Sequence, residues 1–391
     1  ILVFFIYGCN NQNNNQYEGK IILEEQGSLA FGGTVKKAAG EFNGYDLFPS
    51  SNGQTYHSDH GYAFYQIPIN ARKYPIVFLH GGGQSAKSFE TTPDGREGFQ
   101  NIFLKKGFSV YLVDQPRRGR AGRTRTTLEN SELFITEAYE SETWNAFRNG
   151  IWKKPNKPYL YEGVQFPSDP DSIEQFFRQQ TPNTGVEPHS AEYEQFMGKT
   201  MADLLKRTGP AILMTHSASG PLGWTTGLIA EELIKAIVAY EPGDFIFPEG
   251  EEIEYIESPL DYIRDNYNPK RIPTNEFVKL TKFPILVVWG DNISSEPTNE
   301  VFNEEFWRVA SIRAKQFVDT INKYGGDATL VMLPEIGIKG NTHAPFADLN
   351  NEDIANHLIK FLHEKKLDIK DNPHTGPTKH GLTEYTIPLD K

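Results

Sequence analysis

Hydrophobic positions along the chain fall into two regimes. Between residues 20 and 66 short apolar stretches, Ile21-Ile-Leu23 and Tyr62-Ala-Phe-Tyr65 among them, alternate with polar residues and are separated by Gly-, Asn- and Ser-rich turns. This pattern predicts antiparallel edge strands. From Pro75 onward, continuous apolar runs alternate with helical periodicity. The runs are Ile76 to Leu79, Ser109 to Val113, Ala211 to Met214, Ala236 to Tyr240, Phe283 to Trp289 and Ala328 to Leu333; helices are expected around 98–106, 304–324 and 353–363. Apolar β-rich runs separated by helices predict a mostly parallel sheet buried on both faces, with ligand sites at the carboxyl ends of its strands. The strand rhythm stops between residues 126 and 201, where aromatics such as Trp144, Phe147, Trp152, Phe166 and Phe176 accumulate. A helical cap over the sheet is expected there. A second excursion, 245–280, is acidic around Glu251, Glu252 and Glu254 and reads as another wall, and the stretch after Leu367 lacks periodicity.

One junction stands out for chemistry. Ala211-Ile-Leu-Met-Thr-His-Ser-Ala-Ser-Gly-Pro221 reads as a buried strand, a sharp turn at Ser217 and an amphipathic helix carrying Leu222, Trp224, Leu228 and Ile229. A serine on such a turn has its oxygen raised above the sheet next to backbone N–H groups, provided its neighbours are small. The pattern departs from G-x-S-x-G, with Thr215 and Ser219 in the glycine places and Gly220 one position later. On its own it is also compatible with an ordinary helix N-cap.

Other parts converge on the same junction. His80-Gly-Gly-Gly83 follows the strand Ile76 to Leu79, and glycines there let backbone amides point into a cleft. The N–H groups of Gly82 and Ala218 are the expected oxyanion-hole pair. The base must come late, between the last strand and the last helix, where His343 lies; His357 and His363 fall in the final helix, His374 and His380 in the tail, and His216 beside the serine is expected to point away. For the acid, two positions compete. The strand Phe283 to Trp289 runs into Gly290-Asp291-Asn292-Ile293, with isoleucine where the acid commonly stands, so Asp291 reads as a turn cap; Glu241 ends the preceding strand and is favoured over Asp291.

Composition narrows the class. The chain has 391 residues, 38% hydrophobic, with a net charge of -12, which disfavours nucleic acid as a partner. Five arginines between Arg117 and Arg125 are a local exception, read as a solvated or ion-paired loop after a strand, with contact to an anionic substrate group as the alternative. His57, Asp59 and His60 lack metal-site spacing, and no metal or organic cofactor is expected. Cys9 is the only cysteine, so no intramolecular disulfide forms. Ile1 to Cys9 is apolar and an Asn/Gln run follows, which resembles the hydrophobic region and acylated cysteine of a bacterial lipoprotein signal without its positively charged start. Residues 1–19 are thus expected to be a signal remnant and tether, 20–367 the folded domain with its cap insertion at about 126–201, and 368–391 a tail. Export is expected, with the chain held on the cell envelope through a lipid on Cys9.

The turn at Ser217, His80 to Gly83 and the chain order Ser217, acid, His343 resemble the α/β-hydrolase superfamily over roughly residues 56–363. More narrowly, Glu90-Thr-Thr-Pro-Asp-Gly-Arg-Glu-Gly-Phe99, Asp114-Gln-Pro-Arg-Arg-Gly119 and Thr215-His-Ser-Ala-Ser-Gly220 are similar to segments of a small group of secreted bacterial carboxylesterases with a Ser-His-Glu triad. The resemblance implies the α/β-hydrolase fold, ester hydrolysis through Ser217, Glu241 and His343, a small-molecule ester substrate and a homodimer. A lactone or amide hydrolase, or an inactive surface ligand-binding protein on the same fold, are the alternatives.

Overall fold

The computed structural model describes residues 19–45, 52–122, 139–153, 155–181, 183–185, 187 and 190–378. Cys9, Arg123, Arg125 and His380 lie outside them. Eight strands form the main sheet: β1 (Leu23–Phe31), β2 (Gly61–Pro68), β3 (Ile76–Leu79), β4 (Val110–Asp114), β5 (Ala211–His216), β6 (Ile234–Tyr240), β7 (Ile285–Trp289) and β8 (Ala328–Met332). Their spatial order is β1-β2-β4-β3-β5-β6-β7-β8. β2 runs antiparallel to both its neighbours, and every other pairing is parallel.

The apolar runs are buried for the reason their continuity predicts. Alternate residues of β3 to β7 serve opposite layers: Val77, Leu213, Ile237 and Val287 face one core, and Ile76, Ile212, Val238 and Val288 the other. The first layer is closed by α4 (Ala191–Thr208), α5 (Gly220–Ile229) and α6 (Phe302–Lys323), the second by α1 (Phe99–Lys105) and α7 (Asn351–Glu364). The two rims, β1 and β8, are only partly covered.

The structure differs from the sequence reading in several places. β2 is an interior strand, not an edge, because β1 pairs outside it from Gly61 to Pro68, with a register shift between Leu23 and Glu25. α5 is not amphipathic: every residue from Gly220 to Gly227 is buried. Its glycines make that possible, since a Cβ at Gly223 would stand 2.8 Å from Thr215 Cγ2 and one at Gly227 2.9 Å from Phe283. Between residues 139 and 190 the insertion holds, besides α2 (Glu140–Ala146) and α3 (Pro170–Arg178), an antiparallel ribbon pairing Gly150–Lys153 with Lys157–Leu160. α4, which the expected insertion boundary cuts, packs Met197, Met201, Leu204 and Leu205 into the sheet's core. In the tail, His374 Nε2 lies 2.8 Å from the Tyr111 hydroxyl, so these residues rest on the sheet domain.

Candidate active site

β5 ends at His216, and Ser217 adopts φ 54°, the left-handed region that side chains seldom occupy. The turn is held from both sides. The His216 amide donates to Ser219 Oγ at 2.9 Å, that hydroxyl donates on to the Leu79 carbonyl at 2.9 Å, and the Gly243 amide donates to the Ser217 carbonyl at 3.0 Å. Ser219 thus replaces a glycine with a buried staple to β3. Ser217 is half-buried and Ala218 exposed, so the bend opens to solvent.

The glycine run lies directly opposite. A Cβ on Gly81 would stand 2.7 Å from His216 Nδ1 and 3.0 Å from Ser217 Cβ, and one on Gly82 3.4 Å from Ala218 Cβ. Gly81 is therefore obligatory for the close approach, and Gly82 and Ala218 face each other across the opening. His80 fixes the run from beneath: its Nδ1–H donates to the Gly81 carbonyl at 2.8 Å, and its Nε2 accepts from the Gln115 amide at 3.3 Å. Burial pushes its pKa down to about 4, so it is neutral.

Glu241 and His343 meet. Glu241 follows β6 immediately with φ 47°, is fully buried, and accepts a hydrogen bond from His343 Nδ1–H at Oε2. The Gly290 amide donates to Oε1 at 2.6 Å. Arg148 then covers the whole carboxylate, with Nη1 donating to Oε2 at 2.8 Å and Nη2 to Oε1. Burial alone would raise the Glu241 pKa, but the Arg148 charge and the His343 contact bring it down to about 2. His343 is lowered from its ordinary value by burial, opposed by Glu241. With Nδ1–H committed to Glu241, its Nε2 is left as an acceptor.

Asp291 takes the other role. Its carboxylate accepts from the amides of Gly340 at 2.8 Å and Asn292 at 2.8 Å, capping the turn that leads into the His343 loop. That loop is further ordered by Asp348, which accepts from the Thr342 amide at 2.7 Å, Thr342 Oγ1 at 2.8 Å and Asn341 Nδ2 at 3.0 Å. Burial raises Asp348 to about 7.

Sequence reasoning missed Arg148 and the partners of His216. The His216 ring lies 4.6 Å from the His343 ring between centroids, and its Nε2–H donates to the His343 carbonyl at 2.8 Å. Its Nδ1 lies 3.1 Å from Gln84 Oε1. Trp307, with centroids 4.2 Å apart, and Phe147, at 5.3 Å, enclose the His343 ring. The arginine loop is ion-paired where it is described: Arg117 with Asp59, Arg118 with Glu187, and Arg120 with Asp114.

No protein-family model matches the chain. It is 29% identical over 331 residues to a probable secreted lipase from a fungal species, strain ATCC 74256, covering 76% of this chain and 84% of the relative. The solved structure of a novel bacterial esterase superposes with a TM-score of 0.68 at 28% identity, covering 89% of this chain and 98% of that one. On strand order, on the turn at Ser217 and on these likenesses, the chain has the α/β-hydrolase fold and is similar along most of its length to enzymes named for ester hydrolysis.

Proposed function

We propose that the protein is a serine hydrolase that cleaves carboxylic esters through an acyl-enzyme. The observation that carries this reading is the buried Glu241–His343 contact, together with a serine held at positive φ opposite a glycine run. Ser217 Oγ attacks the ester carbonyl carbon as His343 Nε2 takes its proton. The amides of Gly82 and Ala218 hold the developing oxyanion, a contribution of about 3 kcal/mol per donor in such sites. Collapse of the tetrahedral intermediate breaks the carbon–oxygen bond to the alcohol, which leaves with the proton from His343. Water, deprotonated by the same imidazole, then releases the acid and restores Ser217. Glu241 holds the Nδ1–H tautomer and stabilises the imidazolium formed in each half-reaction. The likeness to a secreted lipase supports export; anchoring through a lipid on Cys9 and a homodimer belong to this proposal as well.

A fluorophosphonate probe tests the assignment. Wild type should be labelled and hydrolyse members of an ester panel, and Ser217→Ala should do neither. A folded wild-type protein that resists the probe and binds esters without turnover would favour a ligand-binding role, and turnover confined to lactones or amides would redirect the substrate class.

A further inference from the structure

Glu241 and Arg148 form an ion pair with almost no solvent, at 0% and 1% side-chain exposure. Arg148 uses three nitrogens: Nη1 and Nη2 on the two carboxylate oxygens, and Nε on the Asp291 carbonyl at 2.9 Å. It sits at φ 52°, a backbone conformation that costs a non-glycine residue stability and persists only where its surroundings enforce it. The same turn reaches the base, because the Phe147 carbonyl accepts from the His343 amide at 2.8 Å. Residues 147 and 148 therefore hold both His343 and its acid.

We propose that Arg148 is a positioning residue of the reaction, the cation that lets a fully buried Glu241 stay ionised and so keeps His343 free to accept the Ser217 proton. This inference rests on the ester-hydrolase reading for its kinetic form. The charge balance carries it. A buried carboxylate next to a neutral imidazole is an uncompensated anion, and the pair would satisfy it by capturing a proton. With Arg148 present, the site is neutral while His343 is unprotonated. Without it, neutrality requires a proton on Glu241 or His343, and either one removes the working base.

The remaining charged or titratable groups around the pair do not supply this balance. From β5, His216 is buried and well below its ordinary pKa, through burial and the neighbouring His343. After β7, Asp291 turns its carboxylate to Gly340 and Asn292 and offers Arg148 only its carbonyl. In the loop after β8, Asp348 is occupied by Thr342 and Asn341. From the insertion, Tyr161 donates to Glu304 at 3.0 Å. Among the described residues, Arg148 is the cation in contact with Glu241.

The test is the acid limb of kcat/KM for ester hydrolysis. Wild type should lose activity below pH 6.5, the ordinary histidine value. In Arg148→Met the limb should move to higher pH by at least about one unit, the scale on which a contacting charge shifts a titration. Arg148→Lys keeps the charge and loses the two-pronged grip; its limb should stay near wild type while kcat falls. A Met variant that is still labelled by the fluorophosphonate but shows an unmoved limb overturns the proposal, since a merely structural arginine predicts that result. Should the Met variant not fold, the His343 ring can be titrated by NMR in full-length Ser217→Ala. The same titration in Ser217→Ala/Arg148→Gln should give a higher value, and an equal one overturns the proposal. This second measurement does not depend on turnover, so it separates failure of the arginine's role from failure of the ester-hydrolase reading.

Discussion

His343 Nδ1–H donates to Glu241, a residue 102 positions earlier in the chain, while Asp291, at the end of the next strand, spends its carboxylate on backbone amides. The two candidate acids are thus separated by what they touch. Glu241→Gln should lower ester turnover by about 10⁴ with KM little changed, because the amide can present its NH2 to Nδ1 and favour the wrong tautomer. Asp291→Asn should stay within about tenfold of wild type. Steady-state kinetics on both variants decide it, and the reverse ranking would place the acid on β7.

The fold was legible wherever burial dictated residue type. β3 to β7 are apolar on both faces, so Ile76 to Leu79 or Ile285 to Trp289 could be little else than interior strands. α5 misled because its glycines, which permit close packing, carry no periodic signal. The candidates Ser217 and His343 followed from chain order relative to the strands, and Glu241 also from the resemblance to esterases with a Ser-His-Glu triad. Arg148 did not, because it lies in an aromatic insertion without periodicity and reaches Glu241 from 93 residues away. Charge accounting offered the one available signal: an acid buried at a strand end requires a cation, though the sequence does not say which. The burial of His216 beneath the turn was not legible because it depends on Gly81, whose missing Cβ makes the space.

The two glycines opposite Ser217 should respond differently to alanine. At Gly81 the added methyl would meet His216 Nδ1 at 2.7 Å and must displace the turn; at Gly82 it meets Ala218 Cβ at 3.4 Å. Gly81→Ala should cost about 10²-fold or more in kcat, in line with misplacing reacting groups by an ångström. Gly82→Ala should fold like wild type and lose less. Equal losses in parallel assays, with matched melting curves, would contradict the geometry.

Buried imidazoles set the stability profile. His80, His216 and His343 are all lowered by burial, so the unfolded chain takes up their protons first and native stability is lost as pH falls below 6.5. Glu241, depressed to about 2, adds a loss between its ordinary value of 4.5 and that limit. Asp348 opposes them: raised to about 7, its contribution is full below 3.8 and fades as pH rises through 7. The depressed groups outnumber Asp348 and predict a lower urea midpoint at pH 4.5 than at pH 7. A higher midpoint in acid would show that Asp348 dominates.

Arg96 links the segment Thr92-Pro-Asp-Gly-Arg96 to the loop that carries His343. Its Nε donates to Asp94 Oδ2 at 2.6 Å, and its two terminal nitrogens reach the Leu349 carbonyl at 3.1 Å, Asn351 Oδ1 at 3.0 Å and the Asp348 carbonyl at 3.0 Å. Asp348 in turn anchors Thr342 beside the base. The guanidinium is thereby two residues removed from the chemistry and still fixes where the His343 loop ends. Arg96→Ala leaves four acceptors to water or unpaired, each worth about 1 kcal/mol where burial keeps water out. Because the imidazole is positioned through this loop and the substrate is not, kcat should fall about tenfold with KM nearly constant, accompanied by a lower melting temperature. Arg96→Lys can restore one of those bonds and should recover only part of the loss. Unchanged kcat in a variant whose melting temperature drops would mean that the loop keeps its shape through Asp348 alone.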